Sequence, residues 1–567
     1  MMPSMPCHVI MRVKNEVRQM KKRIPLGLQS YDKLKTGNYY VVDKSLMIQD
    51  FLSRGNEVTL ITRPRRFGKT LNMSMMASFF DITKDSRELF KDTAIMKSEH
   101  ASAMNQYPTI FLSFANAKNS KQELTKAIKY QLRKEYDRHQ QVFDREMSEF
   151  DADEYQKIRK TLLDTENGET DGLGNTLAFL IEKLEKHHGR KVMVFIDEYD
   201  TPFIEAHVNG FYDEVRSGLS SLLHNALKAS TSLQHAMLTG IQRVAKENIF
   251  SDLNNLVVCT VKDREYAQYF GFTEEETKTM LEYYGLELNE EVKAMYNGYR
   301  FGDEEIYNPW SVLNYASRRA LEPYWVNTSS NKMIRKAMEG RDLTFARGYE
   351  KLIETGRLET LVRMETSFFE VSSTDSLWGL FVNAGYLTIE RVISHLDGLY
   401  VLRIPDQEVQ REFQELTACY LNVEDTQLGK LFIALKWNRK EEFIDNYRDM
   451  LLSLPSYHDL KDENSYHVLF LGMCAWLSNE YDIISNREEG KGRCDIILKA
   501  KKEGLASYVL EFKYLKEADA ERLEESAKEA VLQIKEKRYD AELQGRTILI
   551  GLAHAGKEVS IEWQERS

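Results

Sequence analysis

Cysteine is scarce and scattered in this chain. Its 5 cysteines (Cys7, Cys259, Cys419, Cys474 and Cys494) form no C-x-x-C pair, which argues against a disulfide framework or a zinc site and fits a reducing compartment. Proline is scarce too, at 10 residues, and no Pro-rich, Gly/Ser-rich or repetitive tract interrupts the sequence, which argues against a fibrous or largely disordered protein. Long apolar runs are missing: stretches such as 192–196 and 508–510 fall far below the ~20 residues of a membrane-spanning helix. The N-terminal Cys7-His-Val-Ile-Met11 lacks the apolar length of a secretory signal and has its basic residues after it, not before. A cytoplasmic protein without membrane contact is the expectation. Net positive charge is also absent. Lys and Arg number 77 against 88 Asp and Glu, so a basic coat for non-specific DNA binding is excluded and any nucleic-acid contact must be a local patch. The run Arg12, Lys14, Arg18, Lys21, Lys22 and Arg23 against Glu16 reads as a solvated tail in preference to a nucleic-acid arm.

What is present is ordinary globular sequence, 42% hydrophobic and 29% charged. A length of 567 residues suggests roughly three to four domains. After a lead-in that includes the strand-like Tyr39-Tyr-Val-Val-Asp43, an apolar strand from Val58 runs directly into Arg63-Pro-Arg-Arg-Phe-Gly-Lys-Thr70 and then into helix-forming sequence up to Phe80. A phosphate-binding loop needs this strand–turn–helix: backbone N–H groups aimed at phosphate, a Lys on the β- and γ-phosphates, and a hydroxyl on Mg²⁺. Lys69 and Thr70 fill those roles, and Arg65, Arg66, Phe67 and Gly68 form the cradle. Arg63 stands where the general pattern has glycine, so its side chain must leave the turn without blocking phosphate.

Strands at 107–114, 191–198 and 233–241 alternate with helices at 121–138 and 214–228, which implies a parallel sheet. The strand 191–198 is almost continuously apolar, as a strand covered on both faces is, and ends in Asp197-Glu198. Asp197 suits holding Mg²⁺ through its water shell, and Glu198 suits orienting or deprotonating an attacking water. Thr239, ending the next strand, is placed to sense a γ-phosphate, and Arg243 to reach phosphate in cis or in trans; an ordinary turn with an exposed Arg is the other reading. ATP and Mg²⁺ are the cofactors implied.

Residues 261–455 read as mainly helical, as at 273–284 and 427–454, with the aromatic turns Tyr296-Asn-Gly-Tyr-Arg-Phe-Gly302 and Tyr307-Asn-Pro-Trp310 read as packing. Beyond them lie a helix at 466–479, strands at 481–485, 493–498 and 507–514, a charged helix at 518–537 and a strand at 546–552. Asp495 falls on one strand and Glu511 and Lys513 on the next, two apart and therefore on one face. Two carboxylates can hold Mg²⁺ against a scissile phosphate while a Lys polarises water and offsets developing charge. Glu463 would complete the metal shell, Gln533, Arg538 and Tyr539 would contact a nucleic-acid backbone, and Arg487, Lys491 and Arg493 supply local positive charge. The bland alternative is a solvated strand edge with a Glu–Lys pair.

The loop 63–70, the leader Leu26-Gly-Leu-Gln-Ser-Tyr31, Phe195-Ile-Asp-Glu-Tyr-Asp200 and Thr239-Gly-Ile-Gln-Arg-Val-Ala-Lys246 resemble the AAA-ATPase-like family of bacterial proteins. That family pairs such a domain with a C-terminal PD-(D/E)xK nuclease-like domain, and the resemblance spans roughly 24–560. An Arg at the position of Arg63 is usual in it. The resemblance begins just after Met20, which sets Met20 as the expected natural start. The expected fold is α/β: a basic tail at 1–23, a P-loop parallel-sheet ATPase domain at 24–260, a mainly helical region at 261–455 and a restriction-endonuclease-like α/β domain at 456–567. The expected function is an ATPase coupled to a metal-dependent nuclease acting on nucleic acid, DNA ahead of RNA, with a homo-oligomer as a further expectation. The alternatives are a nucleotide-switched binding or regulatory protein whose nuclease-like domain does not cleave, and an ATPase with a purely structural C-terminal domain.

Overall fold

The computed structural model describes residues 21–566 except 145–146, 229, 244–253, 326–333, 335–336, 339–342, 365–372, 422–424, 454–462, 478–479, 486–487, 490–491, 494 and 517–518. Most of the basic tail, the Met20 start, and the Arg487 and Lys491 charges lie outside the described residues.

The N-terminal sheet has five parallel strands, β1 (Val58–Thr62), β2 (Thr109–Ser113), β3 (Val192–Asp197), β4 (Leu233–Gly240) and β5 (Leu256–Cys259), in the order β2-β3-β4-β1-β5. β1 and β3 are buried along their whole length because helices cover both faces, which is why their sequences are continuously apolar. β4 inserts between β1 and β3, pairing Ile61 with Thr239 and Ile196 with Leu238. The C-terminal ends of β1, β3 and β4 therefore stand side by side, where open parallel sheets place their ligands. The helix Lys69–Phe80 starts from Gly68 at φ 81 and buries Met73, Met75, Met76, Phe79 and Phe80.

The middle region is mainly helical, and it also contains sheet that the sequence did not announce. A hairpin, β6 (Tyr299–Phe301) and β7 (Glu304–Ile306), precedes an antiparallel sheet of β8 (Arg357–Leu361), β9 (Thr388–Ser394) and β10 (Leu399–Arg403) in the order β8-β10-β9. Strands of three to seven residues give too little period-2 signal to stand out among helices. The periodic stretch 427–454 is two helices, Asp425–Lys436 and Lys440–Ser453, separated at Asn438 in the left-handed region, φ 53. Tyr39–Asp43 forms no strand, since its only ladder contact is a single bridge between Arg23 and Tyr39.

The C-terminal sheet joins β11 (Tyr481–Ser485), the short ladder β12 (Glu488–Glu489) and β13 (Gly492–Arg493) standing apart, β14 (Ile496–Ala500), β15 (Ser507–Tyr514), β16 (Thr547–Ala555) and β17 (Glu558–Glu565). Its order is β11-β14-β15-β16-β17, with β15 and β16 parallel and the other pairs antiparallel. β17 lies beyond the strands expected from the sequence, although Val559, Ile561 and Trp563 alternate with Ser560, Glu562 and Gln564 as a half-buried edge strand does. The helix Ala520–Lys537 makes the crossover from β15 to β16 and buries Leu523, Ala527, Ala530, Val531 and Ile534. Middle-region helices cover part of the sheet: Tyr447 Oη lies 3.0 Å from His554 Nε2, and the Phe443 and Trp563 rings are 5.4 Å apart. One apolar core runs from the first helices through the middle region into this sheet. No described helix is long and apolar enough to cross a membrane.

Candidate functional site

At the end of β3, Asp197 is fully buried and accepts hydroxyl protons from Thr70 on one oxygen and Thr239 on the other, both at 2.7 Å. Three chain segments are thereby tied to one carboxylate. Burial pushes its pKa up, with the neighbouring Glu198 charge acting in the same direction. A divalent cation beside Thr70 Oγ1 and Asp197 would remove that penalty, so the donor set fits Mg²⁺. Lys69 is 6% exposed and donates from Nζ to the carbonyls of Arg63 and Pro64 at 2.9 and 2.8 Å. Its own pKa is lowered by burial, which Glu198, Asp197 and Asp200 oppose. Glu198 turns with φ 50, and its carboxylate accepts the Thr201 hydroxyl at 3.0 Å.

Lys69, Thr70 and Glu198 face a cavity of about 620 Å³, whereas Asp197 and Thr239 are fully buried and reach it only through the Thr70 hydroxyl bonded to Asp197. Its lining joins the loop from Arg65 to Thr70 to Leu28, Tyr31, Leu34, Tyr40 and Lys44 of the lead-in segment. Phe272, Pro309, Trp310 and Leu313 from the middle region also line it, so the aromatic turn at Tyr307–Trp310 does more than pack.

Arg63 answers how the loop dispenses with its first glycine. The side chain turns away from the cavity and is fully buried, donating to the carbonyls of Thr62, Cys259 and Glu265 at 2.9 to 3.1 Å. Its guanidinium also lies over Phe270 and Phe301, 5.7 and 5.2 Å from their centroids, and burial lowers its pKa to about 10. Phe67 follows it outward, meeting Tyr299 and Phe301 at centroid distances of 4.8 and 5.1 Å. Pro64 abuts Gly385 so closely that a Cβ there would fall 2.8 Å from Pro64 Cβ. Arg66 alone among these stays exposed, its guanidinium 4.2 Å from the Trp310 ring centroid.

Lys69, Thr70, Asp197, Glu198 and Thr239 are thus gathered at one strand edge. Arg243 lies three residues past β4. Two unsought residues set its approach: Asp200, 1% exposed, accepts the N–H groups of Ile241 and Gln242, and the Tyr199 hydroxyl donates to the Gln242 carbonyl. Burial raises the pKa of Asp200 to about 6. Its spacing in Asp197-Glu-Tyr-Asp200 was the available signal.

The second cluster lies on the C-terminal sheet. Glu511 and Lys513 leave one face of β15, with Lys513 Nζ 3.5 Å from Glu511 Oε1 and 3.9 Å from Glu463 Oε1. Asp495, just before β14, accepts the Phe512 N–H at 2.8 Å. Gln533 donates its side-chain amide to Glu511 Oε1, while among the described residues no hydrogen bond is formed to the buried Glu511 Oε2. Burial first, and the Asp495 charge second, raise the Glu511 pKa to about 8; Asp495 and Glu463 are raised as well, mainly by burial. Among the described residues no three His, Cys, Asp or Glu are already arranged as a metal cage. The buried Glu511 oxygen and the raised carboxylates nevertheless fit a divalent cation, which would give the one a ligand and relieve the other. Tyr539 corrects the sequence reading: at 2% exposure it packs with Ile497, Val509 and Leu549 and is not offered to a nucleic-acid backbone. His467 was missed; its Nε2 lies 2.9 Å from Ser485 Oγ and 3.1 Å from the Asp495 carbonyl.

Comparison with known proteins places both clusters in recognised domains. Residues 25–250 match the family described as "Predicted AAA-ATPase", and residues 461–564 match the PD-(D/E)XK nuclease superfamily. An Azotobacter chroococcum mcd 1 protein, described as an uncharacterized protein in the vnfD 5' region, is 28% identical over 400 residues, 70% of each chain. The solved structure of Drosophila ORC bound to AT-rich DNA and Cdc6 covers 66% of this chain and 93% of its own, at 9% identity and a TM-score of 0.18, too slight a likeness to carry the fold.

Proposed function

We propose that this chain, an AAA-ATPase-like domain joined to a PD-(D/E)XK nuclease-superfamily domain, hydrolyses ATP to control metal-dependent cleavage of nucleic acid in the cytoplasm, DNA ahead of RNA. The observation that carries the reading is a cavity lined by Lys69, Thr70 and Glu198, with Thr70 and Thr239 both donating to the buried Asp197 carboxylate. The loop amides from Arg65 to Thr70 take the phosphates, and Lys69 leaves the loop carbonyls to neutralise the β- and γ-phosphates. Bound Mg²⁺ would supply charge neutralisation at Thr70 and Asp197. Glu198 orients the attacking water or takes its proton. Thr239 reads the γ-phosphate through its shared carboxylate, and Arg243 offsets developing charge in cis or from a neighbouring copy in a homo-oligomer.

At the second site Asp495, Glu511 and Glu463 would hold a divalent cation, which would supply charge neutralisation at the scissile phosphate, and Lys513 positions the attacking water. Gln533 fixes the Glu511 carboxylate. A second reading, a nucleotide-switched binding protein that does not cleave, draws on Glu511 resting protonated near neutrality. Purified protein with Mg²⁺, ATP and labelled DNA or RNA separates the two. Wild type is expected to cut and Glu511→Ala to lose cutting while keeping ATPase activity; no metal-dependent cutting by wild type leaves the second reading. Lys69→Ala is expected to abolish ATP turnover, and unchanged turnover would refute the assignment of the phosphate loop.

A further inference from the structure

The phosphate loop faces the middle region with four side chains, and three are locked. Arg63 is buried under three carbonyls, Phe67 is held between Tyr299 and Phe301, and Pro64 sits against Gly385. Arg66 differs: it occupies the left-handed region at φ 72, is exposed, and rests its guanidinium on the Trp310 indole face. Trp310 is itself rigidly placed. It is the second residue of the helix Pro309–Arg318, its N–H donates to the Asn308 side chain at 2.9 Å, and its indole N–H donates to the Tyr324 carbonyl at 2.9 Å. Arg66 and Trp310 both line the cavity beside Lys69 and Glu198.

We propose that Trp310 is a positioning residue for the nucleoside triphosphate, holding Arg66 beside the phosphate cradle until a γ-phosphate draws the guanidinium off the indole. This rests on the ATP-site reading above. A guanidinium on an aromatic face keeps its N–H edge free, so it can be parked without being consumed. A charge-assisted, two-pronged bond to phosphate is stronger than a stack on a half-exposed ring, so the triphosphate wins the competition. A diphosphate lacks the group that reaches Arg66 and leaves the stack in place. The residue after Trp310, Ser311, donates to the buried Glu408 carboxylate at 2.7 Å, so release of the indole bears on a packed joint of the middle region.

The test uses the full-length protein, a non-hydrolysable ATP analogue and ADP, with affinity measured by calorimetry and with tryptophan emission. In wild type the analogue is expected to change emission and ADP to leave it unchanged, and Trp310→Phe is expected to abolish that change. Arg66→Ala is expected to weaken the analogue about 10- to 100-fold, as loss of a bond to a charged group does, with ADP affected far less. Trp310→Leu, which removes the stack, is expected to tighten the analogue about 2- to 5-fold relative to ADP. Trp310→Phe loses the same indole bond but keeps an aromatic face, so it should retain the wild-type affinity ratio; a purely structural Trp310 would make the two variants behave alike. Analogue binding without a Trp310-dependent emission change overturns the inference alone. No analogue binding to wild type overturns it together with the ATP reading.

Discussion

Glu511 shows how a single buried carboxylate can set a pH response. Its ordinary pKa of 4.5 is raised to about 8, so the folded protein retains a proton that the unfolded chain has released across that interval. Folding stability is unaffected by this group below 4.5 and falls as pH rises from there towards 8. Glu511→Gln, which keeps a neutral side chain at every pH, is expected to match wild type in thermal midpoint below 4.5 and to exceed it increasingly up to about 8. Parallel pH slopes for the two proteins would contradict the burial argument. Mg²⁺ added at the upper end should stabilise wild type and not the variant, because the cation needs the ionised carboxylate. Arg63 is the second residue with a measurable consequence. Arg63→Gly, which restores the general phosphate-loop pattern, strips the carbonyls of Thr62, Cys259 and Glu265 of their donors and leaves a cavity beneath Phe301. A loss of about 3 kcal/mol or more is expected, read as a lower first transition in thermal unfolding. An unchanged transition would mean that the three carbonyls find other donors.

At the scale of elements, the parts of the site that follow one another closely in sequence were legible. Gly68-Lys-Thr70 at the start of a helix, Asp197-Glu198 closing an apolar strand, and Glu511 and Lys513 two apart on a strand each couple residue type to a local period. The sheet then does predictable work: with β4 between β1 and β3, Thr239 falls beside Asp197. Illegible were contacts made by elements distant in the chain. The burial of Tyr539 depends on how the segment after the Ala520–Lys537 helix folds back onto Ile497 and Leu549, and no local pattern reports that. The direction of Arg63 was equally hidden, because its partners sit at Cys259, Glu265 and Phe301, some two hundred residues onward. Short strands such as β6 and β8 escaped because three to five residues carry almost no periodic signal.

For the whole molecule, Gly385 tests whether the middle region governs the nucleotide cavity. It takes φ 90 and accepts the Tyr299 hydroxyl at 2.9 Å, with Pro64 close enough to exclude any side chain. Gly385→Val is expected to push on Pro64 and weaken ATP binding by roughly tenfold, a cost of about 1.4 kcal/mol, without altering any group that touches nucleotide. Calorimetric affinity equal to wild type would show that the loop does not feel that wall. The same continuity reaches the other end, where Tyr447 meets His554 and the helix Leu343–Thr355 contacts the helix Glu463–Met473 that begins with Glu463. The outward turn of Arg63, Pro64 and Phe67 has a last consequence. Moved into a new host, the loop would arrive with a cation, a ring and a proline whose sockets had stayed behind, so this loop can be inherited only together with the region it leans on.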